Sequence, residues 1–144
     1  MSAVFVVACD GSSVSGRALK LAIEQAKLGG ASLVLAHVLE WSPYSFLTPE
    51  ELEERHARRK KELQRAQEAL IDPLLKAVND EGIEAKAVIR YGHVTETLTE
   101  IAKQEGAAQM FIGRTGQSSL AKIVFGSVAA ALAQVAPVPC TIVP

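Results

Sequence analysis

The residues best suited to do chemistry stand in "GRTGQSSLAKIVFGS", residues 113–127. Gly113 and Gly116 are three apart, nine residues separate Gly116 from Gly126, and Ser127 follows at once. Glycines so placed let backbone N–H groups approach an anion with no side chain in the way. Gly126-Ser127 adds the free N–H groups of a helix N-terminus and a hydroxyl, which is equipment for phosphate. No acidic residue lies between Gly113 and Ser127 to repel such a group. A second stretch, "DGSS" at 10–13, carries the carboxylate of Asp10 in a polar turn.

For these two stretches to serve one ligand, the elements around them must bring them together. "AVFVVAC" (3–9) is a continuous apolar, β-branched run that reads as a buried parallel strand ending at Asp10. A helix follows from Ser13 to about Leu28, with Gly29-Gly30 as its stop. "ASLVLAHVL" (31–39) is a second strand. Thr48, Pro49 and Glu51 then compose a capping box with proline in the first turn, opening a helix that runs to about Asp80. Pro73 is expected to kink or interrupt it, and Gly82 to end it.

"EAKAVIRYG" (84–92) is a third strand, "HVTETLTEIAKQEG" a helix with Val94, Leu98, Ile101 and Ala102 on one face, and "AAQMFIG" a fourth strand. A helix from Ser127 to Val135 and a last strand, "CTIVP", complete the chain. This alternation predicts an α/β fold: one domain over 1–144, an open doubly wound parallel sheet of five strands with helices on both faces. In such sheets ligands bind beyond the C-terminal strand ends where the winding reverses. Asp10 and Gly113 face one cleft there if the first and fourth strands are neighbours.

These motifs, "GRTGQSSLAKIVFGS" with the pattern GxxGx9G(S/T), "DGSSVSGRAL" near the start and "APVPCTIV" near the end, resemble the universal stress protein family in its ATP-binding branch, over essentially the whole chain. The resemblance implies the strand order 3-2-1-4-5. It implies that Asp10 lies against a nucleotide and that Val38 contacts adenine through its backbone. Gly113, Thr115, Gly116, Gly126, Ser127 and Val128 would hold ribose and phosphates, and Ile112 either packs on the adenine or belongs to the core. Three positions depart from the common pattern: Ala129 replaces a hydroxyl found in some members, Gln109 an aspartate and Cys140 a valine.

The expected ligand is ATP, or AMP or ADP, accompanied by Mg²⁺, and the expected role is that of a stress-response sensor or adaptor, not of an efficient catalyst. The alternative is a slow ATPase or a nucleotide-using enzyme of a related α/β fold. HxGH, SGGxDS and GxxxxGK[ST] are all missing, as is GxGxxG after the first strand, so adenylating, P-loop and dinucleotide chemistry have no motif here. No catalytic residue and no protein metal site is expected. The resemblance also implies a homodimer through the last strand, a short, apolar, uncharged sheet edge.

Composition agrees with a globular protein: 49% hydrophobic, 22% charged, net charge −1, with basic and acidic residues interleaved. That balance offers no nucleic-acid footprint and no polybasic membrane patch. No apolar run reaches membrane-spanning length, and Met1 leads into the first strand without a basic region, so a cytoplasmic location is expected. Cys9 and Cys140 read as small buried hydrophobes, held apart by the fourth strand in the implied order and therefore unbridged. His37 reads as a packed strand histidine, His93 as a helix start and His56 as part of a solvated, highly charged arm that is alternatively a docking surface. Trp41, Tyr44 and Phe46 cover a core edge or flap over the ligand, and Arg114 and Lys122 are loop cations, solvated or screening phosphate.

Overall fold

The computed structural model describes residues 2–40, 48–115 and 126–144. Strand β1 (Val4–Ala8) is the β-branched run, and it ends where Gly11, at φ 82°, takes a left-handed turn that side chains resist. Ser12 caps helix α1 (Ser13–Gly29), its hydroxyl accepting from the Ser15 amide at 3.1 Å, and Gly30 closes the helix at φ 70°. Strand β2 (Ser32–Glu40) follows.

Helix α2 (Pro49–Arg65) opens with the expected capping box between Thr48 and Glu51. The long helix is interrupted just before Pro73. It widens into a π-helical segment, Ala66–Ile71, and resumes as α3 (Asp72–Asp80) with proline in its first turn. The Asp72 amide reaches back five residues to the Gln67 carbonyl, so the wider winding precedes the residue that has no amide to offer. Ile71 and Val78 are fully buried, whereas α2 buries nothing, which makes the charged stretch an arm anchored by the apolar segments after it. The chain then forms β3 (Ala85–Gly92), α4 (Val94–Gln104), β4 (Gln109–Gly113), α5 (Ser127–Val135) and β5 (Cys140–Val143).

All five strands are parallel, in the order β3-β2-β1-β4-β5. Side chains alternate across the sheet and split the core in two. Val7, Leu33, Leu35 and Phe111 pack with Leu19, Ala22, Ile71 and Val78 on one face. Val6, Val34, Ala36, Met110 and Ile112 pack with Leu98, Ile101, Ala129 and Leu132 on the other. Both faces are therefore covered, α1 and α3 on one side, α4 and α5 on the other.

Candidate functional site

Strand β1 is shorter at its C-terminal end than both of its neighbours. It pairs with β2 only as far as Ala8↔Ala36 and with β4 only as far as Val7↔Phe111. Strand β2 continues along β3 to Glu40↔Gly92, and β4 continues along β5 to Gly113↔Val143. The result is a notch in the sheet edge where the winding reverses. Asp10 lies at its floor, Val38 on one wall, and Ile112 and Gly113 on the other.

The floor is held rigidly. Asp10 Oδ1 accepts from the Ser12 amide at 2.9 Å and from the Ser12 hydroxyl at 2.5 Å. The same hydroxyl oxygen accepts from the Ser15 amide, and the Ser15 hydroxyl donates to the Ser12 carbonyl at 3.0 Å. The carboxylate is thus oriented by the first turn of α1.

The Val38 wall exposes main chain. Even-numbered residues of β2 direct their N–H and C=O toward β1, as the bonds from Ser32 N to the Ala3 carbonyl (2.9 Å) and from Cys9 N to the Ala36 carbonyl (2.8 Å) record. At Val38 the ladder has stopped, so among the described residues its N–H and C=O have no ladder partner. One donor and one acceptor on a single residue of a strand suit the hydrogen-bonding edge of a planar base.

The opposite wall gives each of its two glycines a structural task. Gly113 is required first by packing, since a Cβ there would lie 2.6 Å from Val14 Cγ1 at the start of α1. The Gly126 N–H is not free: it donates to the Arg114 carbonyl at 2.7 Å, while the Arg114 amide donates to the Val143 carbonyl at 2.7 Å. These bonds clamp together the two ends of the segment between Arg114 and Gly126. Gly126, and not Ser127, is the N-cap of α5, with no side-chain cap. Among the described residues the first-turn amides of Ser127, Val128 and Ala129 are therefore without a partner.

Ser127 is exposed, Gly126 and Val128 half-buried, and Ala129 and Ile112 belong to the core. Position 129 therefore points its side chain into packing, and Ile112, 7% exposed, serves the core. Thr115 is half-buried beside the clamp. Gly116, Lys122, Trp41, Tyr44 and Phe46 lie outside the described residues.

Two features of the site carry no signal in sequence spacing. His37 Nδ1 meets the Cys9 carbonyl, and Arg114 Nε is buried with no hydrogen-bond partner among the described residues. A buried donor left unpaired costs on the order of 1–3 kcal/mol, which an anion alongside would offset.

Elsewhere, His93 is the N-cap of α4 and His56 is exposed on α2. Cys9 and Cys140 are both free thiols, with β4 between their strands. Among the described residues no group of three or more His, Cys, Asp or Glu is arranged to hold a metal, and no helix is long and apolar enough to cross a membrane.

The sequence model described as the Universal stress protein family matches residues 1–144. A universal stress protein of Methanocaldococcus jannaschii is 32% identical, with 86% of this chain and 71% of that protein aligned. One from Bacillus subtilis is 26% identical, with 96% of each aligned. Among solved structures, universal stress protein UspA of Lactobacillus plantarum superposes with a TM-score of 0.86 at 23% identity, covering 99% of this chain and 97% of that one. A universal stress protein of Archaeoglobus fulgidus in complex with dAMP gives 0.68 at 22% identity, over 100% and 98% of the two chains. A family protein of Arabidopsis thaliana with AMP bound gives 0.64 at 17% identity, over 97% and 90%.

Proposed function

The chain belongs to the universal stress protein family, and from that premise we propose that it binds an adenine nucleotide in the notch at the end of β1 and acts as a nucleotide-responsive sensor or adaptor. The observation that carries this reading is the notch itself: among the described residues, a backbone donor and acceptor without a ladder partner at Val38 on one wall and an N-terminus of α5 without a side-chain cap near the other. A base edge fits the first and phosphate the second. The adenine nucleotides named with the Archaeoglobus and Arabidopsis proteins support the choice of ligand.

In this reading Val38 takes the base through its main chain, and Asp10, oriented by Ser12, accepts from a ribose hydroxyl. Thr115, Gly116 and the amides of Ser127 and Val128 take the phosphates, and Gly126 and Gly113 serve by closing the loop and admitting α1. Arg114 Nε gains an acceptor. Mg²⁺ would enter as the companion of the phosphates, held by their own oxygens. The whole chain acts as one domain. It works in the cytoplasm, a placement that its free thiols support.

Calorimetric titration with ATP, ADP and AMP tests the reading. Wild-type protein binds, and Gly116→Val does not, because the added side chain blocks the approach of ribose and phosphate. Absence of binding in the wild type, or equal affinity in the variant, overturns it. Hydrolysis stays well below about 1 per second, and faster phosphate release by ATPase-free preparations would establish an enzyme instead.

A further inference from the structure

The ladder between β1 and β2 ends one bond early, and a side chain ends it. The Cys9 N–H donates to the Ala36 carbonyl, so the Cys9 carbonyl also faces β2, where a regular parallel pair would have it accept from the Val38 amide. It meets His37 Nδ1 instead, at 2.5 Å. A carbonyl has no proton to give, so the imidazole must carry its proton on Nδ1. Because the Cys9 carbonyl belongs to the peptide group that leads into Asp10, the same contact anchors the floor of the notch.

We propose that His37 is a positioning residue of the site: by capping the Cys9 carbonyl it keeps the Val38 N–H and C=O out of the sheet and open to a base, and it fixes the peptide that carries Asp10. This rests on the nucleotide reading above. A donor and an acceptor in this order complement the N1 and N6 groups of adenine. Guanine offers the reverse polarity at the corresponding positions, so the cap also contributes to base choice.

Three measurements test it. In ligand-free wild-type protein ¹⁵N spectroscopy of the neutral imidazole finds His37 in the Nδ1–H tautomer; the Nε2–H tautomer overturns the cap. In His37→Leu the Val38 amide takes over the Cys9 carbonyl, and its hydrogen exchange slows about tenfold or more. Unchanged exchange overturns the substitution of one donor for the other. By calorimetry, His37→Leu weakens ATP about tenfold and narrows the preference for ATP over GTP. His37→Asn, whose amide nitrogen takes the place of Nδ1, keeps both near wild type. ATP affinity and base preference unchanged in His37→Leu overturn the positioning role. If wild-type protein binds no adenine nucleotide, the functional reading falls and the positioning role with it. The tautomer and the Val38 exchange, read without ligand and the former without any variant, still decide the cap separately.

Discussion

Gly113 and Val14 approach so closely that a single methyl group on the glycine would lie 2.6 Å from Val14 Cγ1, with the Val14 carbonyl carbon and the Thr115 carbonyl oxygen each at 3.1 Å. The last residue of β4 and the first turn of α1 are therefore in contact through a position that tolerates no side chain. Since α1 also carries the Ser12 and Ser15 bonds that orient Asp10, this contact couples the Gly113 wall of the notch to its floor.

Gly113→Ala is expected to destabilise the protein by about 1–3 kcal/mol, the usual cost of overpacking a tight site. Urea unfolding measures it. Adding Val14→Ala should recover part of the loss and not all of it, because two of the three close atoms are backbone. An unchanged midpoint in Gly113→Ala would mean that α1 yields without cost.

Burial pushes the Cys9 thiol from its ordinary value of 9.0 up to about 12, with the neighbouring Asp10 charge adding to the effect. A raised pKa means that the folded state holds the proton when the unfolded state has lost it. The contribution to stability is full below about pH 9 and falls by up to about 1.4 kcal/mol per pH unit as the pH climbs toward 12. Between pH 8 and pH 11, wild-type protein should lose more stability than Cys9→Ala. Parallel curves would contradict this. Burial raises the Cys140 thiol as well, so both cysteines should resist alkylation in the folded protein and react as two free thiols once unfolded.

The Tyr91 hydroxyl lies 2.9 Å from the Arg59 carbonyl and 3.2 Å from Glu62 Oε2, and the Arg59 guanidinium sits 5.4 Å from the ring centroid. Burial and Glu62 raise the Tyr91 pKa, which keeps the hydroxyl a donor. With no buried residue in α2, Tyr91 is one tether of the arm. Tyr91→Phe should cost about 1 kcal/mol or less in global stability yet speed tryptic cleavage within Pro49–Arg65 severalfold. Cleavage at the wild-type rate would show that the arm is held by other contacts.

Strand β5 pairs with β4 and lies at the sheet edge, with Ile142 and Val143 half-buried. An apolar edge of this kind is open to pairing with a second copy about a two-fold axis. Sedimentation equilibrium should find a dimer in the wild type and a monomer in Ile142→Asp, where paired copies would place like charges beside one another. A monomeric wild type at micromolar concentration would refute the pairing.

Local patterns in the chain determined the elements. β-Branched runs become strands, Thr48, Pro49 and Glu51 open a helix, and Gly30 closes one, because each depends on neighbours within a few residues. The glycine spacing around Gly113, Gly116 and Gly126 and the turn at Asp10 marked where the site should form, and alternation of strand and helix made the sheet parallel. The tertiary structure alone decided what those residues do. Gly113 answers to Val14, the Gly126 amide is spent on the Arg114 carbonyl, and Ile112 belongs to the core. His37, read as packing, takes a carbonyl that the ladder leaves over. Each of these depends on where β1 stops relative to β2 and β4. That stopping point is set by hydrogen bonds between residues some thirty to a hundred positions apart, which no local pattern encodes.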